Sequence, residues 1–211
     1  MKIVRNVLIG SACLIGATNA FASESADLRV KGIISPAACT PAFSGIIDYG
    51  SIDPTTLNPD RPTVLPRKQI SYTISCDAAV SFGTTWTDSR NDSVIGGHDS
   101  SFDDYVYGLG FQGTNKIGKY ILMIDPSTSG DGNKVNVIYR PKAGGEWMNG
   151  NEFMGTKTIH AYATPGSLTP GSYTSIAGKL IVETYIAATE TLDMSKTVEL
   201  DGLATMSMYY L

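Results

Sequence analysis

Residues 69–76 read Gln69-Ile70-Ser71-Tyr72-Thr73-Ile74-Ser75-Cys76, an unbroken alternation of polar and apolar side chains. A period of two puts Ile70, Tyr72, Ile74 and Cys76 on one face and the polar residues on the other. That is the pattern of a half-buried β-strand; an amphipathic helix repeats its apolar residues every three or four. Working outward, residues 28–34, 45–52, 80–87, 105–111, 120–124, 134–139, 156–163, 176–187 and 198–210 are likewise rich in β-branched or aromatic side chains, and each is expected to be a strand. Turn formers separate them: Asn58-Pro59-Asp60-Arg61-Pro62, Gly96-Gly97, Ser129-Gly130-Asp131-Gly132-Asn133, Gly144-Gly145 and Thr169-Pro170-Gly171. Strands at this spacing with no helices between them predict an all-β sandwich in a single domain. The acidic stretch 88–104, with Asp88, Asp92, Asp99, Asp103 and Asp104, is expected to be a solvated loop.

The chain has 211 residues, 42% hydrophobic and 17% charged, enough apolar content for one sizeable core. Residues 1–22 read as a secretory signal. Lys2 and Arg5 form a positive start, 7–16 an apolar stretch, and Ala20-Phe21-Ala22 a small-x-small cleavage site, so the mature domain is expected to span 23–211. The apolar stretch is about half the length that a membrane-spanning helix needs, and no later run approaches that length, so no transmembrane segment is expected in the mature chain. Cys13 is not expected to be a lipidation site, because the apolar run continues through Leu14 and Ile15. Sixteen Lys and Arg stand against twenty Asp and Glu, a formal charge of −4, with no basic cluster longer than Arg67-Lys68. A nucleic-acid partner is therefore not expected.

Cleavage removes Cys13 and leaves Cys39 and Cys76. In an exported protein an isolated pair is most economically a disulfide, the alternative being two separate buried thiols. Closing that loop stabilises the fold by about 4 kcal/mol in the chain-entropy model.

The parts of an enzyme are missing from the sequence. Residues 113–119, Gly113-Thr114-Asn115-Lys116-Ile117-Gly118-Lys119, have phosphate-loop spacing, but Tyr120 stands where a Ser or Thr should bind Mg²⁺, and a β-type run follows instead of a helix. The chain has two histidines, His98 and His160, and no Gly-x-Ser-x-Gly elbow. No zinc spacing occurs, and His98 with Asp99, Asp103 and Asp104 fits no calcium loop. No catalytic residue, metal or cofactor is expected.

The C-terminal row is more informative. Val198, Leu200, Gly202, Ala204, Met206, Met208 and Tyr210 alternate with Asp201, Thr205 and Ser207, only Leu203 breaking the pattern, and the row ends at Leu211. This row comes with a Lys31-Gly32 start leading to Ala37-Ala38-Cys39, an Asp48-x-Gly50-Ser51-Ile52 segment, a second Cys ending an alternating strand, and a penultimate Tyr210. Together they resemble the pilins of the chaperone-usher pathway. More narrowly, Tyr107-Gly108-Leu109-Gly110 and Lys116-Ile117-Gly118-Lys119-Tyr120 resemble a fimbrial-like family of exported Gram-negative proteins of largely unknown function, of the DUF1120 kind.

The resemblance covers essentially the whole mature chain. It implies an immunoglobulin-like sandwich lacking its final strand, with an apolar groove beside the C-terminal strand. A periplasmic chaperone would lend a strand, and in the fibre the N-terminal extension of the next subunit would replace it, with an outer-membrane usher and other fimbrial subunits as further partners. Carried onto this chain, Val198, Leu200, Ala204, Met206, Met208 and Tyr210 flank the groove and the carboxylate of Leu211 anchors the chaperone. Val198 stands where pilins commonly carry Gly. With 28–34 taken as the first strand, the extension is short. The expected function is a non-enzymatic structural subunit of a surface fimbria, exported to the periplasm and then displayed on the cell. The alternative is a tip or stand-alone carbohydrate-binding sandwich meeting a host glycan, with Trp86, Trp147 and Tyr105 as stacking platforms.

Overall fold

The strand containing 69–76 runs much further than its alternation suggests, through Asp77-Ala78-Ala79 without a turn, to become a single 21-residue strand, Lys68–Asp88. The structure, a computed structural model, describes residues 28–32, 38–96, 102–150 and 152–211. The expected signal segment 1–22, and with it His98 and Asp99, lies outside the described residues. The chain divides into two units, 1–35 and 36–211. In the first, residues 28–32 form no strand, which corrects that part of the 28–34 expectation, and residues 33–34 lie outside the described residues.

The second unit holds fourteen described strands: β1 (Cys39–Phe43), β2 (Thr63–Val64), β3 (Lys68–Asp88), β4 (Val106–Gly108), β5 (Phe111–Gln112), β6 (Asn115–Lys116), β7 (Gly118–Ile124), β8 (Ser129–Gly130), β9 (Asn133–Lys134), β10 (Asn136–Pro141), β11 (Met148–Asn149), β12 (Thr158–Ala163), β13 (Ser172–Ile186) and β14 (Ala204–Tyr210). The fold is all-β; among the described residues the helical elements are three-residue 3₁₀ turns. No helix among the described residues is long and apolar enough to cross a membrane.

β3 belongs to two halves of one curled sheet. Its first half pairs antiparallel with β13, Ile74 opposite Ile176 and Ile70 opposite Leu180. β13 pairs in turn with β7, and β7 with β4. Its second half pairs with β12, which continues to β10 and β11. On the other flank of β3 lie β1, against 72–76, and β14, against 82–88. The bend falls where β13 slips register between Tyr173 and Ser175. There the Asp131 carboxylate accepts from the backbone N–H of both Thr174 and Ser175, so the donors freed by the bulge are satisfied.

The inward faces of both halves share one core. Ile74, Ile176, Phe82, Leu122, Leu180, Tyr162 and Met206 belong to a single cluster, and the Phe82 and Tyr162 rings meet edge to face at 5.9 Å. Each fully buried aliphatic chain of this kind stabilises the fold by about 1.5–3 kcal/mol. The arrangement is consistent with a β-sandwich. Gly83 lets β12 pass close by: a Cβ there would stand 2.7 Å from the His160 carbonyl oxygen. Cys39 and Cys76 sit opposite one another in the β1–β3 ladder and are joined by a disulfide, as expected.

Three other expectations are corrected. Residues 45–52 and 198–203 are not in hydrogen-bonded strands, and the first strand of this unit is instead Cys39–Phe43, where Pro41 concealed the pattern. The acidic stretch is not simply solvated either. Ser93 and Val94 are buried within it, and the Ser93 hydroxyl donates to Arg90 O and accepts from the N–H of Gly110, which folds this part of the chain against the sheet.

Candidate functional site

Residues 45–52 and 197–204, the two segments that failed to become complete strands, lie along one cavity. Its volume is about 990 Å³, with Ile46, Ile47, Tyr49 and Ile52 on one side and Val198, Leu200, Leu203 and Ala204 on the other. The floor is the main core: Leu122, Leu180, Val182, Ile186, Leu109 and Trp86. Burial alternates over 47–50 and 197–200, while Ile46 and Leu203 are exposed. Ile47, Tyr49, Val198 and Leu200 are half-buried, while Asp48, Ser51 and Glu199 are exposed. Among the described residues, neither 45–52 nor 197–200 makes a backbone-to-backbone hydrogen bond. Main-chain donors and acceptors beside an apolar trough are the features of an edge that can accept another strand.

Local chemistry holds the walls in place. The Tyr49 hydroxyl donates to Thr184 Oγ1 at 3.1 Å, tying the first wall to β13, and the Lys68 ammonium lies 5.0 Å from the centre of the Tyr49 ring. On the second wall Asp201 N donates to Leu109 O at 3.0 Å, and the Arg90 guanidinium meets the Asp201 carboxylate at 2.6 Å. Gly202 is needed for this approach, since a Cβ there would come within 2.7 Å of the Tyr120 ring. Charge on the rim comes from Asp48, Glu199 and Lys196.

Of the C-terminal row, the structure brings Val198, Leu200 and Ala204 to the cavity. Met206 and Met208 do not line it; they continue the same face along β14 and pack against the core. Tyr210 and Leu211 are exposed and stand outside the cavity, where the Tyr210 hydroxyl accepts from the N–H of Cys39 at 2.8 Å. The free flank of β14 has no partner strand among the described residues. Sequence reasoning missed the facing wall as a site, together with Trp86 and Leu109. Ile46, Ile47, Tyr49 and Ile52 were the available signal, as a cluster of large apolar residues with no obvious place in the core.

Other candidates resolve into structure. His160 is buried on β12 with Nε2 3.1 Å from Phe153 O, and burial holds its pKa down to about 4. Asp104 pairs with Lys157 at 2.8 Å, and no group of three or more potential metal ligands occurs among the described residues. Residues 113–119 begin at a two-residue turn, Gly113-Thr114, that joins β5 to β6 as a hairpin, with the Lys116 ammonium donating to Val94 O. Of the expected stacking platforms, Trp86 is 2% exposed, Tyr105 packs with Phe102 and Phe153, and Trp147 lies under the Arg140 guanidinium at 5.0 Å.

These features define a class: an all-β chain whose core opens along one flank into an apolar cavity between two unpaired segments. Sequence comparison gives the family. Residues 28–134 match the model described as "Protein of unknown function (DUF1120)", and the chain belongs to that family. The match includes the 45–52 wall and Trp86 and stops short of the 197–204 wall. Two proteins of Escherichia coli (strain K12) are similar over this whole chain. "Uncharacterized protein YhcF" is 29% identical over 242 residues, with all of both chains covered. "Protein GltF" is 26% identical over 250 residues, covering 100% of this chain and 98% of the relative. No solved structure matches the chain.

Proposed function

We propose that this protein is a structural subunit of a chaperone-usher surface fimbria, with an immunoglobulin-type sandwich completed by a strand from another chain. The observation that carries the reading is the pair of walls, 45–52 and 197–200, with apolar side chains turned inward and no backbone partner between them. A strand laid in the cavity pairs its own N–H and C=O groups with the walls and buries alternate side chains on Leu122, Leu180 and Val182.

In the periplasm that strand comes from a chaperone, and after passage through the usher from the N-terminal segment of the next subunit. Residues 28–34 supply such a segment, with Leu28, Val30 and Ile34 in alternation. Leu28 and Val30 are 91% and 89% exposed and in no strand, so the donor segment is longer than when 28–34 is taken as the first strand of the domain. Arg29 and Lys31 between them complement Asp48 and Glu199 on the rim. The alternative, a glycan-binding tip or stand-alone adhesin, draws less support: of its three expected platforms Trp86 is buried, Tyr105 packs with Phe102 and Phe153, and Trp147 carries the Arg140 guanidinium on its ring.

Co-expression with a cognate periplasmic chaperone tests the reading: a soluble heterodimer is expected, where the subunit alone is unstable or oligomeric. Met208→Asp, which puts a carboxylate beside the open flank of β14 and against the core, abolishes capture; Ser207→Asp, on the exposed face of the same strand, does not. Deletion of Tyr209, Tyr210 and Leu211 removes little core and is expected to lose capture. Capture of the truncated chain at the full level removes the C-terminal anchor from the mechanism. A monodisperse, cooperatively folding monomer without any partner favours the stand-alone reading.

A further inference from the structure

A second cavity, of about 500 Å³, lies where the end of β7 in one half of the sheet meets β9 and β10 in the other, and it shares no lining residue with the strand-accepting one. Backbone bonds fix the chain on both sides of it. Met148 and Asn149 pair with Tyr139 and Ile138 of β10. Farther on, Phe153 bridges to Met123 of β7, Ile124 N donates to Glu152 O at 2.7 Å, and Met154 N donates to Leu122 O at 2.8 Å. The lining mixes two kinds of surface. Val135, Val137 and Phe153 are apolar, while Asp125, Lys134, Asn136, Asn149 and Glu152 bring two carboxylates, two amides and an ammonium. Asp125 Oδ1 accepts from Ser127 N at 2.8 Å, which fixes that carboxylate. Among the described residues the side chains of Lys134, Asn136, Asn149 and Glu152 have no hydrogen-bond or ion-pair partner.

We propose that this cavity binds a neutral sugar, with Lys134, Asn136, Asn149 and Glu152 hydrogen-bonding its hydroxyls and the apolar lining packing on its C–H groups. The site stands apart from the strand-accepting cavity and does not depend on it. Each sugar hydroxyl both donates and accepts, so its partners must supply both kinds of group: the ammonium only donates, the ionised carboxylates only accept, and each amide does both. Amide and carboxylate groups also present two polar atoms side by side, which matches a pair of adjacent hydroxyls. Charge excludes the acidic alternative, because one ammonium stands against two carboxylates and an anionic ligand would meet net repulsion. The volume falls within the roughly 300–1,000 Å³ of small-ligand sites, and a few polar groups set on an apolar lining are their usual composition. The paired backbone on both sides holds Asn149 and Glu152 in place before a ligand arrives.

The test takes periplasmic extract from cells producing the full chain together with a periplasmic chaperone, and passes it over agarose carrying glucose, galactose, mannose or N-acetylglucosamine, with a glucuronic acid column as the charged comparison. The retained chain is read by immunoblot against the amount loaded, whether it travels alone, with the chaperone or as an oligomer. Retention on at least one neutral column, with release by the same free sugar, is expected. Asn149→Ala and Glu152→Ala, both at exposed side chains without a partner, are each expected to cut the retained fraction about tenfold, while Ser207→Ala on β14 leaves it unchanged. A disulfide still formed on a non-reducing gel shows that the variants fold. Passage through every neutral column, stronger retention on glucuronic acid, or retention unaltered in both cavity variants overturns the proposal. Sugar retention in a chain that no chaperone captures leaves this site standing and removes the fimbrial reading instead.

Discussion

β13 and the segment 197–203 carry the same kind of sequence and have different fates. Both turn an apolar residue to the core at every second position, Leu180 and Val182 in the first and Val198 and Leu200 in the second, with Ile181 making the first locally continuous. β13 is paired along both flanks, with β3 on one side and β7 on the other, and its inward residues are buried. The wall segment turns its apolar residues to the same core and leaves them half-buried, with its backbone unpaired over 197–200. Alternation therefore marks a face that wants burial. Whether the segment becomes a strand depends on whether a neighbour reaches its hydrogen-bonding flank.

The largest effect should come from the closed side of β3, where the disulfide holds β1 in register. Replacing Cys39 and Cys76 together by Ser is expected to cost about 4 kcal/mol, read as a lower denaturant midpoint. Alkylation of the unreduced wild-type protein should find neither thiol free.

The contrast itself is sharpened by a pair of truncations. Ile176→Ala, in a fully buried position on β13, is expected to cost about 3 kcal/mol, because it leaves a cavity among paired strands. Leu200→Ala, on the half-buried wall, should cost about 1 kcal/mol in the free protein and more once the cavity holds a strand. Equal costs in the free protein would make the wall an ordinary part of the core and break the comparison.

Acid adds a third test, away from the cavity. Burial, with the nearby Lys142 charge as a smaller cause, holds His160 near pKa 4, below its ordinary value of 6.5, so the folded state resists a proton that the unfolded chain accepts. Stability from this group is complete above pH 6.5 and is lost progressively as the pH falls toward 4, by about 3 kcal/mol in total. His160→Gln should flatten the denaturant midpoint over that window. The carboxylates held below their usual range, Asp53, Asp125, Asp131, Asp193 and Glu183, act at lower pH. The smallest effect is expected for Ser207→Ala, exposed on β14, within about 0.5 kcal/mol of wild type in unfolding.

Much of the fold was legible in the sequence. The stretches 120–124, 156–163 and 176–187 all contain or fall within strands, and the pairing of Cys39 with Cys76 followed from their isolation. The site was legible by half. Val198, Leu200 and Ala204 were identifiable because their row has period two, but the same row runs on into Met206, Met208 and Tyr210, and nothing in the pattern says where the cavity ends. Trp86 reads as an exposed platform or a core ring with equal ease, since an indole suits both. Only its neighbours Phe43 and Met206, brought from opposite ends of the chain, decide that it is buried at the cavity wall.

The sequence by itself determined the all-β class, the faces that turn inward and the disulfide, because each follows from chemistry within a few residues or from the count of cysteines. Tertiary structure alone decided that 68–88 is one strand shared by both halves of the sheet, that β14 pairs with its far end, and that 45–52 and 197–204 face each other across an apolar trough. Those outcomes depend on which strand flanks find partners across more than a hundred residues of chain. A one-dimensional pattern carries the periodicity of side chains and not the addresses of backbone hydrogen bonds.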